Sequence, residues 1–260
     1  MNIMTTHQIT INHDHCIGCG LCTKTCVAHN IELQNRKASL KLPTCLMCGQ
    51  CAAICPQQAI HISGYACNME ENDTPIHLQP QEVLDVIRYR RSIRQFQQTS
   101  VPDNVIHQIL EAGRLTHTAK NMQDVSFIVL QQNKDQIEEL AVRLFRRIKP
   151  FVNLVNPIAR QNDIHSHFFF FNAPLVILIL AKNKTNGLLA AQNMEFVAEA
   201  NELGVLFSGY FTTAANTSHR IKKELSIPKG KRVAMTLVLG YPSIKFLRAP
   251  QREALDATYR

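Results

Sequence analysis

The sequence predicts two domains of mixed helix and strand: a small metal-held domain over residues 1–66 and a larger α/β or α+β domain over 81–260, joined by a linker at 67–80. Three observations predict it. The chain has 260 residues, 45% of them hydrophobic and 18% charged, enough to bury a full core with room for a small domain beside it. Eight of its nine cysteines fall within residues 16–55 at metal-ligand spacing, and the rest of the chain has one, Cys67. From about Gln81 onward, helical and strand-like periods alternate.

The first element is a repeat. Cys16, Cys19, Cys22 and Cys26 recur 29 positions later as Cys45, Cys48, Cys51 and Cys55, an internal duplication. Each C-x2-C-x2-C-x3-C run wraps three thiolates around one face of a cubane and carries its fourth cysteine on a helical turn toward the other cluster. One 4Fe-4S cluster then takes Cys16, Cys19, Cys22 and Cys55; the second takes Cys45, Cys48, Cys51 and Cys26. Such cross-ligation ties the two halves about a pseudo-twofold axis and supplies folding energy that so small a core lacks. Gly20 and Gly49, each after the second cysteine of its run, suit a close turn that points N–H groups at cluster sulfurs.

Zinc also accepts four thiolates, but zinc frameworks split into separated C-x2-C pairs rather than three cysteines at three-residue steps. The repeat resembles the bacterial dicluster ferredoxins over about residues 7–64. Pro56 follows Cys55 as in that family, whereas Val27 stands where a proline often follows the fourth cysteine of the first run. Cys67 has no companion at metal or catalytic spacing and reads as a structural or incidental thiol.

In the larger domain, helices are expected at 81–89, 103–115, 135–149, 188–203 and 213–225, and strands at 126–130, 175–181 and 232–239. The 175–181 strand is apolar enough to be covered on both faces. The helix at 188–203, apolar around much of its circumference, reads as a central buried or interface helix.

Three stretches carry chemistry. Arg90-Arg91-Ser92-Ile93-Arg94-Gln95-Phe96 gathers three guanidinium groups and a hydroxyl suited to a phosphate and a polar ring edge, although a basic run alone is more simply a solvated face. Thr118-Ala119-Lys120-Asn121-Met122-Gln123 is a polar loop whose amides offer donors and acceptors to a heterocycle. Gly240-Tyr241-Pro242 ends a strand in a turn, and Lys245 and Arg248 follow within reach of an anion.

In this order and spacing the stretches resemble the flavin-dependent nitroreductase family over roughly residues 81–252. Ala190-Ala191-Gln192-Asn193-Met194 and Ser208-Gly209-Tyr210-Phe211 strengthen the likeness. The resemblance implies an α+β fold with a mixed central sheet flanked by helices, an intertwined homodimer, and FMN in a cleft between subunits. By position it assigns Arg90, Ser92, Lys245 and Arg248 to the phosphate and ribityl end of FMN. It sets Arg91 and Arg94 along the flavin, with Arg94 near the pyrimidine side, and Asn121 and Gln123 in the loop that contacts flavin or substrate. The backbone near Ser208 and Gly209 would face the reactive flavin nitrogen. Asp124 and Val125 stand where Pro-Trp is frequent in the family.

Iron-sulfur clusters pass single electrons, whereas reduced flavin delivers one electron or a hydride. The expected function is therefore an FMN-dependent oxidoreductase of the nitroreductase type, passing electrons through two 4Fe-4S clusters to FMN and on to a nitro, quinone or similar small organic acceptor. The alternatives are a flavin or enone reductase, and a non-catalytic Fe-S electron carrier or redox sensor. No catalytic side chain is assigned, because reducing a nitro group or quinone needs no protein nucleophile or general base. The donor is open between NAD(P)H and a separate ferredoxin or flavoprotein, and no Rossmann glycine fingerprint decides it.

A net charge of +8 comes without a nucleic-acid motif or a basic tail, so no nucleic-acid partner is expected. The eleven histidines, His165 and His167 among them, show no metal spacing and read as surface or core residues. The longest apolar run, 168–181, is interrupted by Asn172 and Pro174 and is shorter than the roughly 20 residues of a membrane helix, so no membrane partner is expected. Residues 1–15 lack the order of a signal peptide, which makes the cytoplasm the expected location.

Overall fold

The computed structural model describes residues 7–66, 69–71, 76–155 and 157–260. It divides into two compact units, one of residues 1–77 with 119–122 and one of residues 78–118 with 123–260. Cys67 and part of the expected linker lie outside the described residues.

The first unit follows the duplication. Strand β1 (Ile9–Ile11) pairs antiparallel with β4 (Ile60–Ile62), and β2 (Ile31–Gln34) pairs antiparallel with β3 (Lys37–Leu40). Two short helices, α1 (Leu21–Thr25) and α2 (Gln50–Ala53), repeat each other, each entered through a glycine in the left-handed region: Gly20 at φ 75° and Gly49 at φ 76°. The core is small, with Ile9, Ile31, Ala38, Ala52, Ala59 and Ile60 packed beside buried Cys16, Cys22 and Cys51. So little apolar volume cannot offset chain entropy alone, and bound metal is the usual remedy.

The second unit is built on a four-stranded sheet in the order β5 (Ser126–Leu130), β6 (Leu175–Ala181), β8 (Arg232–Gly240), β7 (Gly204–Phe207). The helices are α3 (Pro80–Tyr89), α4 (Asp103–Leu115), α5 (Lys134–Val155), α6 (Pro157–Gln161), α7 (Lys184–Ala200), α8 (Gly209–Thr217) and α9 (His219–Glu224). Every residue of β6 is buried, and its period of two divides the core: Val176, Leu178 and Leu180 face residues of α5, α8 and α9, while Leu175, Ile177 and Ile179 face α4 and α7. The expected cover on both faces is therefore present. Helix α7 is the central helix that its apolar circumference forecast, with Ala190, Ala191, Met194 and Ala198 fully buried.

The sheet differs from the expected mixed form in one respect. Its four strands pair antiparallel throughout, and parallel pairing among the described residues is confined to an isolated bridge between Ser92 and Val205. The helix expected at 213–225 is two helices, broken at Ser218, whose Oγ accepts the Ile221 N–H and starts α9. The helix expected to run to Leu203 stops at Ala200, and the chain enters the short strand β7. No helix among the described residues is long and apolar enough to cross a membrane.

Candidate functional site

In the cysteine unit, the two runs are interleaved as their spacing predicts. Cys16, Cys19 and Cys22 line one hollow together with Cys55, and Cys45, Cys48 and Cys51 line a second together with Cys26. None of the eight is in a disulfide. Backbone N–H groups donate to four of the sulfurs: Ala38 to Cys16 and Ala59 to Cys55 around the first hollow, Asn30 to Cys26 and Met47 to Cys45 around the second, at 3.3–3.4 Å. Such donors stabilise thiolate and bound sulfur.

The hollows fit a multi-iron cluster better than one zinc ion. No three of these sulfurs lie within 4.8 Å of one another, whereas Zn–S bonds of about 2.3 Å would hold tetrahedral sulfurs about 3.8 Å apart. Burial pushes the Cys51 thiol up to about 11, with neighbouring Cys45 and Cys48 adding charge repulsion, and burial likewise raises Cys22. Metal binding would draw the protons off these two raised thiols.

The second unit holds a cleft of about 980 Å3. Its walls are aromatic: Phe145 of α5, then Phe168, Phe169 and Phe171, with Tyr210 of α8. Phe169 is fixed edge-on to Phe145 and Phe168, with ring centroids 4.9 and 5.1 Å away. Three predicted residues, Arg94, Ser208 and Gly209, line the same cleft. Ser208 precedes α8 yet does not cap it, since its Oγ donates to the Phe169 carbonyl at 3.2 Å. The first N–H groups of α8 therefore keep their polarity for whatever enters beside Gly209.

The arginine segment reaches the cleft as an extended strap. Ile93 N–H donates to Val205 on β7 (3.1 Å), Gln97 N–H donates to Tyr241 (2.8 Å), and Ser243 N–H donates to Gln95 (3.0 Å). These bonds lay residues 90–97 between β7 and the turn at 241–243, which brings the first and third sequence motifs together. Arg91 stacks over Phe246, 4.8 Å from the ring centroid, and Lys245 and Arg248 of the same tail are exposed.

Arg90 has a different engagement. Its Nε donates to Glu195 Oε1 of α7 at 2.6 Å, and Gln192 holds the other carboxylate oxygen at 2.8 Å. Glu195 is buried and was not singled out by sequence, because its partner lies 105 residues away. Asn121 groups with the cysteine unit, where its Nδ2 donates to the Met47 carbonyl between Cys45 and Cys48 at 2.8 Å. Gln123 N–H donates to Thr118 Oγ1 at 2.9 Å and closes that loop.

Asp124 also has a structural explanation. Its carboxylate accepts from the N–H groups of Lys182 and Asn183 and from Asn186 Nδ2, tying β5 to the start of α7. Burial opposes its charge, yet the hydrogen bonds from Asn183, Asn186 and Lys182 outweigh burial and hold its pKa below the ordinary value.

A pocket with aromatic walls, a guanidinium and an open helix N-terminus suits a flat ring system that carries an electron-rich edge. Residues 87–241 match the model of the Nitroreductase family, and residues 8–56 match that of the 4Fe-4S dicluster domain. A protein of Methanothermobacter thermautotrophicus, assigned by name alone as an NADH dehydrogenase/NAD(P)H nitroreductase, is 23% identical over 193 residues, covering 71% of this chain and 83% of its own length. A component of an ion-translocating oxidoreductase complex from Methanosarcina acetivorans is 45% identical over 47 residues, 18% of this chain and 18% of that one. A solved nitroreductase with bound FMN from Desulfitobacterium hafniense shares the fold, with a TM-score of 0.58 at 19% identity over 68% of this chain and 97% of that one.

Proposed function

Because the chain belongs to the nitroreductase family and carries a 4Fe-4S dicluster domain ahead of it, we propose that it is an FMN-dependent oxidoreductase that draws electrons through two 4Fe-4S clusters and delivers them to a nitro, quinone or similar small organic acceptor. The observation that carries the reading is the convergence of Arg94, Ser208 and Gly209 on one aromatic cleft of about 980 Å3. That volume is at the upper end of small-molecule sites and leaves room for an acceptor beside a flavin. The clusters supply one-electron transfer, and the flavin supplies the exchange between one- and two-electron chemistry.

The chain's own groups divide the work. Cys16, Cys19, Cys22 and Cys55 hold one cluster, and Cys45, Cys48, Cys51 and Cys26 hold the other. At the flavin end, Arg94 and the N-terminus of α8 oppose negative charge on the ring. Ser92, Lys245 and Arg248 form the phosphate end, with Arg91, stacked on Phe246, along the flavin. Arg90 acts one step back, anchoring the strap to α7 through Glu195. The aromatic walls exclude water from the ring. Functionally the chain divides into a cluster domain at 1–66 and a flavin domain at 81–260, and the exposed Phe151, Leu154 and Tyr210 support a homodimer.

The test is anaerobic purification with iron, sulfide and flavin quantification, then stopped-flow reduction by NAD(P)H and by a low-potential one-electron donor. Stoichiometric FMN together with faster reduction by the one-electron donor supports the cluster route. A protein with full iron that neither holds nor takes up FMN is a carrier or sensor, and the enzyme reading falls.

A further inference from the structure

The first turn of α5 and the phenylalanine-rich 165–171 segment meet at three side chains that the proposed reaction does not use. Asp135 and Glu138 stand three residues apart on one face of the helix. With His167 they form a group in which one ligand atom from each lies within 4.8 Å of the others. Glu138 is 1% exposed, and its Oε1 accepts the N–H groups of Phe169 (2.8 Å) and Phe170 (2.7 Å). Its other oxygen, Oε2, is buried without a hydrogen-bond partner, and so is His167 Nδ1. These two atoms face each other at 3.4 Å.

A buried carboxylate oxygen and a ring nitrogen facing each other are costly unless a proton on Nδ1 or a metal cation joins them. A zinc ion bonded to imidazole nitrogen and carboxylate oxygen at about 2.0–2.2 Å spaces adjacent tetrahedral ligands about 3.3–3.6 Å apart. That separation is already present. Asp135 is 62% exposed, so its carboxylate can swing toward the pair at little cost, and the cation it must leave or share is Lys134, 2.9 Å away.

We propose that Asp135, Glu138 and His167 bind a divalent ion of the zinc class, with water completing the shell. One histidine and two carboxylates suit this class, and thiolate ligands are not needed. The ion would clamp the start of α5 to the segment bearing Phe168 and Phe169, two walls of the cleft. The inference is independent of which acceptor the cleft takes.

Cluster-loaded protein is dialysed anaerobically against Zn2+ and analysed for zinc, iron and sulfide. One zinc per chain beyond an unchanged iron and sulfide content is expected, because zinc that entered the cysteine hollows would displace iron. The same zinc should raise the thermal unfolding temperature. His167→Ala should weaken zinc binding by more than the roughly 10- to 100-fold that loss of an outer partner costs. Asp135→Asn, at an exposed position, provides a second variant with a smaller loss in the same direction. If the wild type retains no zinc with its iron intact, a proton joins the pair and the metal site is overturned. Wild-type zinc affinity in both His167→Ala and Asp135→Asn overturns it as well.

Discussion

The cysteine unit and the cleft unit state their chemistry in opposite ways. Every metal-site cysteine of the first lies within 40 residues, and the two runs interleave because each helical turn carries its last cysteine across to the other hollow. The cleft draws Arg94 from a strap, Phe145 from α5, Phe168 and Phe169 from a loop and Ser208 from just past the end of β7, segments far apart in sequence. A covalent ligand set is fixed by spacing, whereas a non-covalent pocket is fixed by how the sheet and its helices pack. The first should fail abruptly when one residue is lost. The second should lose function by degrees.

The largest effect tests the abrupt failure. Cys55→Ala and Cys26→Ala should each remove a whole cluster, lowering iron from about eight to about four per chain or fewer. Cross-ligation makes a sharper demand. Cys55→Ala should match Cys16→Ala in electron paramagnetic resonance of the reduced protein, and Cys26→Ala should match Cys45→Ala. If Cys55→Ala instead resembled Cys45→Ala, each run would bind its own cluster and the interleaving would be wrong.

The next effect lies in the packing that holds the cleft unit. Asp124→Ala leaves three N–H donors without their acceptor, at an expected cost of about 2–4 kcal/mol, read from thermal or urea unfolding of that unit. The folded pKa of Asp124 is lowered, so its contribution is complete above the unfolded value of about 3.9 and is lost as pH falls below that through the folded value. The acid-side loss of stability should therefore be shallower in Asp124→Ala than in the wild type.

Asp124 also marks the boundary of what sequence makes legible. The run of β6 was readable because both its faces are buried, and α7 because small apolar residues surround it. The strand β7 was not, since four residues following a helix after a three-residue turn leave no period to detect. The break at Ser218 depends on a single cap, and the Arg90–Glu195 pair exists only once α7 has packed. For the site, the gathering of the eight cysteines around two hollows could be read from type and spacing, whereas of the arginine strap only Arg94 lines the cleft. The aromatic wall could not be read, because Phe168 and Phe169 sit in an apolar run that reads equally well as core.

A smaller, graded effect is expected at the cleft. Arg94 is exposed and its Nη1 lies 3.5 Å from the Ser92 carbonyl, so its removal leaves the fold intact. Arg94→Ala should lower kcat/KM for a quinone or nitro acceptor by about tenfold, or about 1.4 kcal/mol, with iron content and unfolding temperature unchanged. An Arg94→Ala variant with wild-type kcat/KM would move the charge-opposing role to the helix N-terminus alone.

The smallest effect returns to the cysteine unit and tests whether its abruptness extends beyond its ligands. Gly49 leads into α2 at φ 76°, and a Cβ added there meets nothing within 4 Å. Gly49→Ala should therefore cost only the left-handed backbone strain, about 1–2 kcal/mol, and the protein should keep both clusters. Gly18 has a similar φ of 72°, but a Cβ there would lie 2.2 Å from the Arg36 carbonyl oxygen, so Gly18→Ala must move backbone that runs beside Cys16. Iron retention after mild chelator treatment should separate the two, with Gly49→Ala close to wild type and Gly18→Ala losing the cluster of Cys16, Cys19, Cys22 and Cys55 first. Equal iron loss in both variants would mean that left-handed strain, rather than the close backbone approach, limits how this unit grips its metal.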